Sequence, residues 1–306
     1  MGRMLAAVMV AAAAVTATGA QQIFRSSVDL VHFGVVVTDR EGKPVLGLRA
    51  EDFEVVEDGR PQTLRFFAGG DPDSAPPLHL GFMIDNSGSM VQDIKDVQTA
   101  AIKFLNAVDN VVDVTLTDFD TEVRVARFGP DDFPRLIERI RSRKPDGYTA
   151  LYDALGVYLN GAAALPGEKI LVLYTDGGDT KSSMNKGELI DLLKASDVTV
   201  YSIGYLQHQG ARKFEYQQIL TQLAATTGGQ ALFPTSIREL DGMYDRILRE
   251  IAGRYSLGYL SSNEKMDGTW RDVRIRLVNR PDLKNVKIRT RAGYWAPYRP
   301  DTFKQR

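Results

Sequence analysis

Three short stretches of the chain place oxygen-bearing side chains where they could hold a cation. The first is Leu78–Met90, LHLGFMIDNSGSM, in which an apolar run stops at Asp85 and becomes Asp-x-Ser-x-Ser, with Ser87 and Ser89. One carboxylate and two hydroxyls suit a hard cation such as magnesium or calcium, and suit zinc or copper poorly. Taken alone, the same pattern equally describes a polar turn that caps a helix and binds nothing. The second stretch is Gly147-Tyr148-Thr149 ahead of ALYDALGVYL, where Thr149 offers a hydroxyl at the start of a helical pattern. The third is Ile170–Tyr174 running into Thr175-Asp176-Gly177-Gly178-Asp179, where Asp176 supplies a second carboxylate.

These residues need a frame, and the apolar periodicity supplies one. Apolar runs of this length bounded by turn residues read as strands buried on both faces of a parallel sheet. Asp85 and Asp176 then stand at the carboxyl ends of strands, where open α/β sheets place their ligands, with Ser89 opening a helix. Five oxygen donors from three loops, Asp85, Ser87, Ser89, Thr149 and Asp176, are then expected to converge there. Ile94, Val97, Ala101, Phe104, Leu105 and Val108 recur at helical spacing and predict an amphipathic helix. Val112, Val114 and Leu116 alternate with polar residues, as do Val123 and Val125. Asp118–Thr121 between them reads as a hairpin that turns the second strand antiparallel at the sheet edge, so Asp118 and Asp120 are assigned to the turn.

Further helices are predicted around Leu136 to Ile140, Leu151 to Leu159, Leu189 to Leu193, Ile219 to Leu223 and Ser236–Ala252, with strands at Val198–Ile203 and Ala231–Phe233. Asp153 falls in a first helical turn, where the helix dipole favours a carboxylate, and Asp179 reads as a cap or rim acid. Alternation on this scale predicts a doubly wound, mostly parallel α/β sheet with helices on both faces, a Rossmann-like arrangement.

The flanks have period two instead. Val28–Thr38, Phe53–Val56 and Thr63–Phe67 in front, and Tyr255–Leu260, Trp270–Val278 and Val286–Thr290 behind, read as strands. Gly293-Tyr294-Trp295-Ala296-Pro297 packs against a sheet, with Tyr294 and Trp295 as core. Neither flank has enough strands for a stable sandwich alone, so the expectation is a small β-sandwich built from both termini around the α/β unit. The division is then 1–20 signal peptide, 21–70 front β segment, 71–77 linker, 78–253 α/β domain and 254–306 rear β segment.

The signal-peptide reading rests on Arg3 followed by the apolar Met4–Val15 and a small-residue stretch ending at Ala20. That places the mature protein outside the cytoplasm, periplasmic or extracellular, with no membrane span after cleavage. Lys+Arg of 38 against Asp+Glu of 39 gives a net charge of −1 without a basic block, so nucleic acid is not a partner. With no cysteine there is no disulfide framework and no thiol catalysis. The three histidines, His32, His79 and His208, fall in separate elements, and His79 reads as packed core. No zinc cluster, Ser-His-Asp arrangement or nucleophile elbow is present, so no catalytic or organic-cofactor residues are assigned and the chain reads as a non-enzyme.

Asp85-x-Ser87-x-Ser89, Thr149 in GYTALYDAL and Asp176 in YTDGGD resemble the metal-ion-dependent adhesion site of von Willebrand factor type A domains, over roughly Pro77 to Gly253. The front pattern EDFEVVEDGRPQTLRFF and the closing RAGYWAP resemble a bacterial family of secreted proteins related to those domains. The resemblance implies octahedral magnesium or manganese, with calcium the poorer fit. Ser87 and Ser89 would bind it directly, and Asp85, Thr149 and Asp176 directly or through water. It also implies a glycine where this chain has Tyr148. Three hydroxyls and two carboxylates leave a six-coordinate ion incomplete, a socket for an Asp or Glu of a protein partner. The expected function is thus an exported, cation-dependent adhesion module. The alternatives are an envelope scaffold with a structural or vestigial metal site, and a magnesium phosphohydrolase using Asp85. The latter lacks its acid, since Ser87 stands two residues on.

Overall fold

The computed structural model describes residues 30–69, 77–278, 280–283 and 285–299. The signal-peptide reading and nearly all of the 71–77 linker therefore lie outside the described residues. In front come β1 (Val31–Thr38), β2 (Phe53–Glu57), β3 (Arg60–Gln62) and β4 (Leu64–Gly69). The central unit follows as β5 (Leu78–Asp85), α1 (Ile94–Ala107), β6 (Val111–Phe119), β7 (Val123–Phe128), α2 (Phe133–Ser142), α3 (Leu151–Ala162) and β8 (Glu168–Thr175). It closes with α4 (Lys186–Ala195), β9 (Thr199–Gly204), α5 (Lys213–Thr226), β10 (Ala231–Leu232) and α6 (Leu240–Ala252). Behind it lie β11 (Tyr255–Tyr259), β12 (Trp270–Leu277), β13 (Lys287–Arg289) and β14 (Gly293–Trp295).

Strand β5 is buried along its whole length because it sits inside a six-stranded sheet of order β10-β9-β8-β5-β6-β7. All pairs are parallel except β6 with β7. Its side chains alternate between faces. Phe82 and Ile84 enter a core shared with Phe104 of α1, Leu136 of α2 and Tyr244 of α6, while Met83 joins Leu155 of α3, Leu189 of α4 and Leu220 of α5. Three helices thus cover each face, as the periodicity predicts. Burial of each such large apolar side chain contributes about 1.5–3 kcal/mol.

The two flanks interleave into two four-stranded antiparallel sheets, β13-β1-β11-β4 and β14-β12-β2-β3. Their inner faces meet in one core containing Phe33, Val35, Val55, Leu257, Val273 and Ile275. Each sheet holds strands from both flanks, so neither could close without the other. Glu57 is buried in this core, where it accepts hydrogen bonds from the hydroxyls of Tyr259, Tyr294 and Ser261.

Several local expectations need correction. The front hairpin pairs β2 with the short β3, and the chain then crosses at Thr63 to the opposite sheet as β4. Pro61 in β3 suits an edge strand. The segment Gly293–Trp295 is itself a strand, and Trp295 is 46% exposed, edge-on to Trp270, so only Tyr294 is core. Ser89 lies in a 3-10 turn, Gly88–Gln92, and the helix begins later at Ile94. The last helix likewise begins at Leu240, after a 3-10 turn at Ile237–Glu239. His79 is buried as expected, but it pairs with Asp113 at 3.0 Å and does not sit among apolar groups alone.

Candidate metal centre

The carboxyl ends of β5 and β8 bring Asp85 and Asp176 into one cluster. Asp85 ends β5 and is wholly buried. Its Oδ1 accepts the Ser87 N–H at 2.9 Å and its Oδ2 accepts the Thr175 hydroxyl at 2.6 Å. The Ser87 and Ser89 hydroxyls lie 3.1 Å apart, and Ser89 Oγ donates to Asp176 Oδ1 at 2.9 Å. Four of the five candidate residues therefore form one hydrogen-bonded chain, buried at Asp85, Ser87 and Asp176 and open to solvent at Ser89.

Thr149 stands on the adjoining loop. That loop is tied to the Asp85 turn by Gly88 N–H donating to Gly147 O at 3.0 Å and Asp146 N–H donating to Asn86 O at 2.8 Å. Thr149 is 7% exposed. Its N–H donates to Thr180 Oγ1 at 2.9 Å, and its carbonyl accepts from Thr180 and Lys181. Among the described residues no hydrogen bond joins its hydroxyl to the other four. Gly147 makes the turn possible: its φ is +71°, and a Cβ there would lie 2.4 Å from Thr121 Oγ1. Gly178 is required by packing, since a Cβ would fall 2.2 Å from the Tyr216 ring.

The remaining acids have other duties. Asp179 accepts the Ser182 N–H at 3.2 Å, which caps the turn that follows it, and it also accepts the Tyr152 N–H at 3.2 Å at the start of α3. Asp153 accepts the Ser183 and Met184 N–H groups at 2.9 Å each, which pins the loop after β8. Asp120 occupies the β6–β7 turn and pairs with Arg124. Asp118 is not in that turn. It lies within β6, buried, ringed by Arg139 at 2.6 Å, Arg143 at 2.7 Å and Arg124 at 3.8 Å.

The contrast with Asp118 defines the electrostatics. Among the described residues neither Asp85 nor Asp176 forms an ion pair, and the neighbouring charges that act most on them are acidic, Asp120 on Asp85 and Asp85 and Asp93 on Asp176. Burial pushes the Asp85 carboxyl above its ordinary value, against the hydrogen bonds from Ser87 and Thr175. Burial, and then the Asp85 charge, push Asp176 up to about 7. Asp176 Oδ2 and Asn86 Oδ1 are buried without hydrogen-bond partners. Two buried carboxylates with an orphaned oxygen and no counter-charge are costly unless a cation or a proton joins them. With two serine hydroxyls alongside, the donor set is all oxygen and fits a hard divalent ion.

Sequence reasoning missed Thr175, which orients Asp85, and Thr180, which holds the Thr149 backbone. Thr175 lies in the quoted YTDGGD stretch and Thr180 directly after it, but only the pairing of loops shows what their hydroxyls face. Asp93, at the start of α1, adds a further negative charge that acts on Asp176, and its own Oδ2 is 3.4 Å from His208 Nε2.

A family model of the von Willebrand factor type A domain matches residues 79–246, more than half of the chain. The chain belongs to that family. Among solved structures it is similar to the PilB minor pilin from Streptococcus sanguinis, with 18% identity over 58% of this chain and 62% of that one, at a TM-score of 0.48. It is also similar to a von Willebrand factor type A structure from Catenulispora acidiphila, with 12% identity over 91% of this chain and 76% of that one, at a TM-score of 0.48. The pilus adhesin SpaC from Lactobacillus rhamnosus GG matches at 10% identity over 89% of this chain and 50% of that one, at a TM-score of 0.50. The chain thus spans less than two thirds of the length of the minor pilin. Comparison with curated proteins found no match.

Proposed function

We propose that the protein is an exported, divalent-cation-dependent binding module that captures an acidic side chain of a protein partner. The observation that carries this reading is the pair of buried carboxylates, Asp85 and Asp176, with Asp176 Oδ2 orphaned and no ion pair to either among the described residues. Magnesium or manganese would be held by Asp85, Ser87, Ser89, Thr149 and Asp176. When bound, it supplies an electrophilic position for an incoming carboxylate. The chain's own groups orient and exclude: Thr175 and the Ser87 N–H fix Asp85, and the solvent-facing side of the cluster, at Ser89, is where the partner enters.

Export is part of the proposal, and among the described residues no helix is long and apolar enough to cross a membrane.

The test is capture of partners from an extracellular fraction with magnesium, with chelator, and with Asp85→Ala. Partners retained by the wild type should be lost in both other arms and return when magnesium follows the chelator. Retention in all arms would instead favour a scaffold whose metal site is not used for recognition.

A further inference from the structure

Two large apolar side chains stand exposed beside the metal socket, on the two loops that hold it. Tyr148 precedes Thr149 and is 65% exposed, and Val91 follows Ser89 by two residues and is 62% exposed. The loops are joined by the Gly88 N–H to Gly147 O hydrogen bond, so the two side chains belong to one rim. Scattered exposed apolar residues need no explanation. Here, though, the backbone beneath Tyr148 is tied to two neighbouring loops: its N–H donates to Thr121 Oγ1 at 2.9 Å, and the Gly147 carbonyl accepts the Gly88 N–H at 3.0 Å.

The left-handed conformation of this turn is taken by Gly147 alone, so Tyr148 is under no backbone demand for a particular residue. Nor does packing call for an aromatic ring that is two-thirds in water. An aromatic group on a fixed backbone loses little freedom when a partner covers it, which is how anchoring residues at interfaces gain their effect. Neighbouring residues of a bound segment are 3.8 Å apart at Cα, so a carboxylate held at the socket brings the side chains next to it over this rim.

We infer that Tyr148 and Val91 form an apolar flank of the socket, selecting partners whose captured Asp or Glu sits directly beside a bulky apolar residue. The inference rests on the metal-socket reading above. It assigns the rim to sequence selection and the metal cluster to the carboxylate itself. Tyr148 is the main contact, because its ring offers the larger face and its loop is fixed at both ends.

The test uses two surface-presented synthetic peptides, Gly-Gly-Phe-Asp-Gly-Gly and Gly-Gly-Gly-Asp-Gly-Gly, over which the whole protein is passed with manganese. In parallel, manganese uptake by the protein is read from the paramagnetic resonance signal of the free ion. The wild type should hold the phenylalanine peptide about tenfold more tightly than the glycine peptide. Tyr148→Ser should erase that preference, Tyr148→Phe should keep it, and Val91→Ser should weaken it, all with manganese uptake unchanged. Failure of the wild type to take up manganese overturns the socket reading, and this inference with it. If manganese binds but the wild type holds both peptides equally, the socket stands and the apolar flank is refuted; if it holds neither, carboxylate capture at the metal fails and the flank with it. A preference that survives Tyr148→Ser refutes it too.

Discussion

Asp176 concentrates the electrostatic cost of the site, and its behaviour with pH gives a direct reading of it. Its carboxyl is raised from an ordinary 3.8 to about 7 by burial and by the Asp85 charge. Between those values the folded, metal-free protein holds a proton that the unfolded chain releases, so stability falls as pH rises through the window. The penalty is absent at the low end and complete above about 7, on the order of 2–4 kcal/mol. Chelator-treated protein should therefore melt at progressively lower temperature from pH 5 to pH 8. Added magnesium replaces the proton and should abolish that decline, most strongly at the alkaline end. A chelated protein whose melting temperature rises over this interval would contradict the assigned environment of Asp176. Asp118 shows the opposite solution to the same problem, since three arginines surround it. Asp118→Ala strands those cations against a buried strand and should cost about 3–5 kcal/mol in urea unfolding, with metal uptake retained. A loss under 1 kcal/mol would show that the cluster is merely a surface arrangement.

The element scale shows where sequence patterns are informative and where they stop. Strands β5 and β8 and helices α1 and α3 were legible because each carries a long apolar run or a 3.6-residue stripe. Asp85 and Asp176 were legible because such runs end on them. Asp118 was misread because Asp-Phe-Asp-Thr is rich in turn formers, whereas β6 continues through Phe119 and the arginines that neutralise Asp118 come from β7 and from in and beyond α2. Strands β3 and β14 are three residues each, too short for alternation to register. The roles of Thr175 and Thr180 depend on which loop lies opposite, which no single stretch encodes. In the sandwich, Glu57 gathers three hydroxyls from β11, the segment after it and β14. Glu57→Ala should leave those hydroxyls without their acceptor and cost about 3 kcal/mol, measured by the shift of the denaturation midpoint. A midpoint unchanged from wild type would mean that water replaces the carboxylate there.

At the scale of the whole molecule, the α/β unit and the sandwich are joined by charged groups as well as by the chain. Arg254, between α6 and β11, donates to Thr199 Oγ1 at 2.6 Å and pairs with Glu168 at 3.1 Å. Arg291 spans the Ser196 and His32 carbonyls and lies over the Phe33 ring at 4.6 Å. Arg289 pairs with the buried Glu250 of α6. Since β1 and β4 flank β11, and β2 pairs with β12, the front segment is held by strand pairing on both sheets. Cleavage at a protease site introduced between Gly69 and Leu78 should therefore leave the front segment co-eluting with the rest of the chain. Its release as a separate piece would contradict the shared sandwich.

The central claim is that the loops at the carboxyl end of β5 and β8 hold a divalent ion through Asp85 and Asp176. Calorimetric titration of manganese into chelator-stripped protein tests it most directly, beside Asp85→Ala and Asp176→Asn. The account predicts saturable uptake of one ion per chain, accompanied by proton release near neutral pH, with uptake lost in both variants. No uptake by the wild type at millimolar manganese, or equal uptake by all three proteins, would contradict it.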